Sequence, residues 1–240
     1  ILAAELIIEI EKEFGVNVEV EYFFENNTFK DIAKYINKNK GKNKPTQKKL
    51  KKYKSYELIP LSHSEKKLWV FFKLHPTLPV YNLPIEIHIQ GKLEHEKLEK
   101  AINFVVTKHD ILRTHFYEID GEPYQKIEDH KAIKIPFLNL SHLAKDIGEK
   151  QLNQIISTEI NQCIDLTHSP LLRLKLIKIH DNNFILLIVL PHIIADGQSL
   201  RYFIRDLSKY YNTQYLVPDS LDIQYADYCL WQKENEEISK

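Results

Sequence analysis

Reactive chemistry concentrates in the stretch Leu190-Pro191-His192-Ile193-Ile194-Ala195-Asp196-Gly197-Gln198-Ser199, where a histidine is followed four residues later by an aspartate and then a glycine. An imidazole titrates at about pH 6.5, so it can accept or position a proton near neutrality. A glycine can adopt positive φ and bring its backbone N–H close to a ligand. By themselves these residues fit two roles: a His–Asp pair that only braces a loop, the commoner case, or a catalytic imidazole. A metal pair is not expected. The i, i+4 spacing would suit a helix, but these residues precede a glycine in a loop, and no further ligand lies near in sequence. Other chemistries lack their residues. The six glycines (15, 41, 91, 121, 148, 197) are too scattered for a GxGxxG turn or a phosphate loop, and HExxH and GxSxG are absent. Cys163 and Cys229 form no CxxC, which fits a reducing cytosol.

The stretch is expected to be positioned by a strand before it and a helix after it. Phe184 to Leu190 is apolar on both faces, the mark of a central strand. Its partner runs from Leu171 to Ile179, with Asp181-Asn182-Asn183 as the hinge. Leu200 to Tyr211 reads as a helix, and a loop fixed between two such elements is a good place to hold an imidazole. Upstream, helices are expected at Ser64–His75, His95–Lys108 and Leu143–Cys163 from their apolar spacing. Ile85, Ile87 and Ile89 alternate with polar residues as a half-buried strand. Leu112 to Tyr117 alternates likewise, and Asp120-Gly121 turns the chain into Tyr124–Ile127. The fold class is therefore α+β, helices layered on a mixed sheet.

The front differs in character. Ala3, Ile7, Ile10 and Phe14 mark an amphipathic helix ended by Gly15, and Thr28 with Asp31 opens a second helix, Phe29–Ile36. Two helices and a short connector are too little to make a core alone. From Asn37 to Lys54 lysines dominate around Gly41 and Pro45, and such like-charge density predicts an extended, mobile linker. Overall the 33 basic and 33 acidic residues balance, so neither a nucleic-acid nor a membrane surface is expected. No apolar run approaches the ~18 residues of a membrane span, and no signal peptide is visible. The chain begins at Ile1 and contains no methionine, which reads as a piece of something longer.

Five ordered segments resemble one family. Pro191-His192-Ile-Ile-Ala-Asp196-Gly197 resembles the HHxxxDG signature of nonribosomal peptide synthetase condensation domains, with Pro191 in place of the first His. Leu61-Ser-His-Ser-Glu-Lys-Lys-Leu-Trp69, with Tyr81-Asn82-Leu83-Pro84, resembles the opening motif, Lys67 standing where Arg is usual. Lys108 to Phe116 resembles RHExLRTxF. Asp165-Leu166 with Pro170 to Arg173 resembles the strand leading to the signature, and Ile223 to Gln232 the end of the first lobe. The front resembles the C-terminal part of a carrier protein, whose phosphopantetheine serine would precede Ile1.

The resemblance implies a carrier remnant at 1–37, a linker at 38–56, and at 57–240 the N-terminal lobe of a condensation domain with a chloramphenicol-acetyltransferase-like fold. It implies amide formation between a carrier-bound acyl or peptidyl donor and a carrier-bound aminoacyl acceptor, in the cytoplasm. The partners are upstream and downstream carriers with 4′-phosphopantetheine arms, a second lobe and an adenylation domain. Without that second lobe the chain alone is expected to be inactive. His192 is then the catalytic residue and Gly197 N–H the oxyanion donor. Asp196 braces the loop through a salt bridge, with Arg113 as partner and Arg173 or Arg201 as alternatives. Trp69, Tyr81 and Tyr117 are expected to pack, and His109 and His115 to face solvent or bond locally. Two other readings share the fold: a degenerate domain that only docks carriers, and a stand-alone acyltransferase.

Overall fold

The computed structural model describes residues 6–7, 9–10, 13–16, 18, 20–26, 28–40, 49–53, 57–213 and 219–239. The chain divides into two units, residues 1–47 and 48–238.

In the first unit, helical turns at Leu6-Ile7, Glu9-Ile10 and Glu13-Phe14 end at Gly15, whose φ of +64° glycine adopts readily. Helix α1 (Val20–Glu25) occupies what was expected to be a connector. Helix α2 (Phe29–Asn39) begins where Thr28 accepts the N–H of Asp31 at 3.2 Å. Ile10, Val16, Val18, Ile32 and Ile36 are buried together, with Tyr22 and Tyr35 packed against them. The expectation that this segment cannot make a core is thereby corrected: Val16 and Val18, with Tyr22 and Phe23 of α1, join the two helices in one buried cluster.

Residues 41–48 and 54–56 of the expected linker lie outside the described residues. Its end is not free, because the N–H of Tyr53 donates to Asp227 Oδ1 at 2.8 Å.

The second unit carries the expected layers. Strand β1 (Ile59–Pro60) precedes helix α3 (His63–Leu74), strand β2 (Asn82–Gln90) and helix α4 (His95–Lys108). A 3-10 turn (Asp110–Arg113) then leads to strands β3 (Thr114–Ile119) and β4 (Glu122–Ile127). The alternation of Leu112 and Arg113 had pointed to strand. Instead they lie in this turn, whose first residue caps the side chain of Arg113 and whose carbonyl takes the Thr114 hydroxyl at 2.9 Å. Strand β5 (Phe137–Asn139), helix α5 (Lys145–Asn161), strand β6 (Arg173–His180), strand β7 (Asn183–Pro191), helix α6 (Gly197–Asn212) and helix α7 (Tyr225–Ser239) complete the unit.

The sheet that matters for the site has the order β2-β7-β6-β5, antiparallel except that β5 runs parallel to β6. β7 is central, and every residue from Ile185 to Pro191 is buried. Leu186, Ile188 and Leu190 face a core shared with α4 (Ile102, Val105) and α6 (Phe203, Leu207). The alternate residues Ile185, Leu187 and Val189 are equally buried on the other face. Each such side chain contributes roughly 1.5–3 kcal/mol on burial, so the end of β7 is fixed far more firmly than any surface loop. The smaller sheet, β1-β4-β3, turns at Asp120-Gly121, with φ of +50° and +83°. Trp69 packs as expected, 3% exposed against Phe72 and Phe116.

Candidate active site

His192 is the first residue beyond β7. Pro191 still pairs with Asn82 in the sheet, and the next N–H, that of His192, donates to the carbonyl of Tyr81 at 2.7 Å. The Ile194 N–H turns back to Pro191 O at 3.1 Å, and Ile193, Ile194 and Ala195 pack inward. That inward anchor leaves His192 and Asp196 as the exposed residues of the turn. The ring of Tyr81 meets the imidazole edge-on, with centroids 6.4 Å apart. Asn82 in turn donates its Nδ2 to Ile160 O and Gln162 O at 2.8 and 2.9 Å, tying the same segment to the end of α5. The Tyr81-Asn82 pair thus has a local purpose: it holds the backbone that holds His192.

Asp196 braces the loop, but not as expected. Its Oδ1 accepts the N–H of Ser199 at 2.7 Å and the Ser199 hydroxyl at 2.6 Å, making it the N-cap of α6. These bonds hold its carboxyl below the usual aspartate range. The expected salt bridge is absent among the described residues. Arg113 bonds Asp110 and the carbonyl of Glu128 instead. Arg173 donates to the carbonyls of Glu159, Gln162 and Cys163, closing the end of α5. The physical reason is position: a carboxylate just before a helix finds unpaired N–H groups within its own turn, without a distant cation. Asp196→Ala is therefore expected to lose ~1 kcal/mol, the scale of an exposed N-cap, and not the ~3–5 kcal/mol of a broken buried ion pair. Urea unfolding of the purified protein measures the difference.

Gly197 is the first residue of α6, and its φ is not in the left-handed region, so the expected conformational need for glycine is corrected. A Cβ there would meet nothing within 4 Å. What remains at Gly197 is its backbone N–H at the positive end of a 16-residue helix.

His192 opens onto a cavity of about 370 Å³ between α3, the end of α4, the His192 turn and α6. Its walls are mostly apolar: Leu68, Ile111, Leu190, Ile194, Leu200 and Phe203. A second, smaller cavity also touches His192 and is lined by Tyr81, Phe71 and Cys163.

Two polar residues of the larger cavity were missed from sequence. Glu65 is 1% exposed and forms a capping box with Ser62, accepting its N–H at 2.7 Å. Gln125 and Cys229 reach the same oxygen at 3.3 and 3.4 Å, while Oε1 is buried without a partner among the described residues. Burial pushes the Glu65 carboxyl up to about 7, against the opposing pull of the Ser62 bonds. The other missed residue is His109, which bonds Asp206 at 2.8 Å across 97 positions of sequence. The expectation of a solvent-facing or locally bonded ring is corrected for it. The Ser-x-x-Glu spacing at Ser62 was a legible signal for Glu65; the His109–Asp206 pairing had none.

A pH dependence follows from Glu65. Native Glu65 keeps its proton to about pH 7, while the unfolded chain releases it near 4.5. Stability should therefore fall as pH rises through that window, by ~3 kcal/mol in total, and level off above it. Glu65→Gln, isosteric with the protonated acid, should abolish this component. Urea midpoints of both proteins from pH 4.5 to 8 test it, and parallel curves would refute it.

Among the described residues no group of three or more His, Cys, Asp or Glu side chains is placed to hold a metal ion. No helix among them is long and apolar enough to cross a membrane.

Residues 55–240 match the family model for the condensation domain. The chain belongs to the condensation-domain family. Residues 1–36 match a second model, the phosphopantetheine attachment site. Tyrocidine synthase 2 of Brevibacillus parabrevis is 32% identical over 231 residues, covering 96% of this chain and 6% of that protein. Gramicidin S synthase 2 of Aneurinibacillus migulanus is 29% identical over 232 residues, covering 97% and 5%. Among solved structures, the X-domain in complex with OxyB from teicoplanin biosynthesis superposes with a TM-score of 0.73 at 23% identity, over 81% of this chain and 42% of that one. A mutant of the starter condensation domain of rhizomide synthetase gives 0.67 at 22% identity, over 75% and 44%. These likenesses establish the α+β, chloramphenicol-acetyltransferase-like fold of this condensation domain. The chain spans less than a tenth of the two synthetases and less than half of the two solved domains.

Proposed function

We propose that this condensation domain forms an amide bond between two carrier-bound groups, with His192 handling the proton of the attacking amine. The observation that carries the reading is the placement of an exposed imidazole at the fixed end of a buried central strand, opening on a mostly apolar cavity, one turn before a helix N-terminus. The acceptor amine adds to the donor thioester carbonyl, its proton passes to or is positioned by His192, and the negative charge goes to the carbonyl oxygen. Gly197 N–H is the donor toward that oxygen. Collapse of the adduct releases the donor carrier's thiol and leaves the new amide on the acceptor.

Asp196 and Arg113 serve the site structurally, through the separate contacts described above. Residues 1–36 contain no serine, so no phosphopantetheine arm is attached within them, and the arms that present both substrates sit on carrier domains. The reading divides the chain into a carrier remnant at 1–37, a linker at 38–56 and the histidine-bearing lobe at 57–240. It places the lobe in a cytoplasmic synthetase with flanking carriers, a second lobe and an adenylation domain.

Pro191 bears on activity directly. It is a buried residue of β7, and the N–H it lacks is not needed there because the next one, on His192, makes the bond to Tyr81. The test is formation of a dipeptidyl carrier from loaded donor and acceptor carriers, read by intact-protein mass spectrometry, with this chain inside a whole condensation domain. Wild type should yield product, and Pro191→His should stay within roughly tenfold, since the working imidazole is already present. If only Pro191→His yields product, the chain is a docking module.

A further inference from the structure

The end of α4 delivers a second imidazole to the same cavity. His109 leaves the helix in extended backbone, with φ −107° and ψ 100°, and its Nε2 lies 2.8 Å from Asp206 Oδ2 on α6. Asp206 is 1% exposed. Its carboxylate also receives Lys108 Nζ at 3.0 Å and, on the other oxygen, Arg205 Nη2 at 3.1 Å. Burial alone would favour the protonated acid, but the bonds from His109, Lys108 and Arg205 prevail and hold Asp206 below the usual range.

An ionised carboxylate only accepts hydrogen bonds, so Nε2 of His109 must carry a hydrogen. In the neutral ring the lone pair then sits on Nδ1, the nitrogen that Asp206 does not touch. Among the described residues Nδ1 has no bonding partner, and it is not among the buried polar atoms left unpaired. The side chain is 20% exposed and lines the cavity. Of the hydroxyls lining the cavity, that of Tyr225 bonds Ser62 at 3.0 Å and that of Tyr202 accepts Gln198 Nε2 at 3.2 Å. Asp206 therefore presents one oriented acceptor nitrogen in a mostly apolar wall. Among the described residues His192 has no hydrogen-bonded carboxylate, and its ring meets the edge of Tyr81.

An oriented acceptor beside mostly apolar walls suits a ligand that brings an apolar side chain and an N–H. Since His192 is assigned the acceptor's amine, the N–H left for His109 is the donor's. We propose that His109 is a substrate-binding residue of the condensation site, its Nδ1 accepting a hydrogen bond from the backbone N–H of a carrier-bound aminoacyl or peptidyl donor with an apolar side chain. Asp206 is the positioning residue that fixes the tautomer. This rests on the amide-forming reading above and adds the class of donor.

The test, with this chain inside a whole condensation domain, is a competition in one reaction between two donor carriers, one loaded with N-acetylleucine and one with its ester isostere, in which oxygen replaces the N–H. The acceptor is the same for both, and products are counted by mass. Wild type should favour the N–H donor by about tenfold, the scale of one hydrogen bond made against a site left unpaired. His109→Phe, which keeps a planar ring without the acceptor, should bring the ratio close to one. His109→Asn, whose Oδ1 can take the place of Nδ1, should restore part of the preference. Because the ratio is internal to each reaction, partial loss of folded protein does not alter it. A wild-type ratio near one, or an unchanged ratio in His109→Phe while His192→Ala is slow, overturns this inference alone. No product from wild type with either donor overturns it together with the amide-forming reading.

Discussion

Replacing Asp206 with alanine is expected to destabilise the lobe by ~3–5 kcal/mol, the cost of leaving a buried charge without its partner. The stranded charge is Lys108, whose side chain is 5% exposed and which bonds Asp206 at 3.0 Å. Its other carboxylate, Asp219, lies at 3.2 Å but is about half exposed. That geometry ranks the two acids. Asp219 can be replaced by water around a partly solvated pair, so Asp219→Ala should cost ~1 kcal/mol or less. Asp206 cannot, because no water reaches a side chain 2% exposed between α4 and α6. Asp206→Leu combined with Lys108→Met removes both charges at once and should recover much of the loss. Denaturant unfolding of the three variants checks the order. If Asp206→Ala lies within 1 kcal/mol of wild type, the buried pair is not what holds α4 to α6.

Much of this arrangement was legible in sequence because it is periodic. The run Phe184–Leu190 is apolar at every position, and only a strand covered on both faces needs that; β7 is such a strand. The 3.6-residue spacing of Leu98, Ile102, Val105 and Val106 gave α4 its boundaries, His95–Lys108. Residues whose positions depend on distant partners were not legible. Arg113 alternates with apolar residues as a strand residue would, yet its guanidinium bonds Asp110 and Glu128, which draws the chain into a 3-10 turn. Asp196 lies in the right place, but its carboxylate is satisfied by Ser199 three residues on, a local bond that a search for a distant cation overlooks. The His109–Asp206 contact spans the whole β-rich middle of the lobe and leaves no trace in local pattern. Strand β5, three residues long and paired in parallel to β6, is too short for periodicity to register.

The largest effect on activity is expected at His192. Its side chain is exposed and makes no hydrogen bond among the described residues, so the fold does not depend on it. Its backbone N–H, bonded to Tyr81, survives any substitution except proline. Truncation at this position therefore separates chemistry from stability, which truncation at Asp206 or Glu65 cannot do. His192→Ala should unfold within ~0.5 kcal/mol of wild type, as a surface change does. Its rate should nevertheless drop by ~10²-fold or more, the contribution of one positioned general base.

The decisive measurement is the single-turnover rate of dipeptidyl-carrier formation by wild type and His192→Ala, with this chain inside a whole condensation domain and both carriers loaded in advance. Pre-loading removes adenylation and carrier modification from the observed rate. A loss of ~10²-fold with unchanged unfolding behaviour is the result expected of an imidazole that handles the amine proton. Full rate in His192→Ala would contradict the assignment, whatever the placement of the ring.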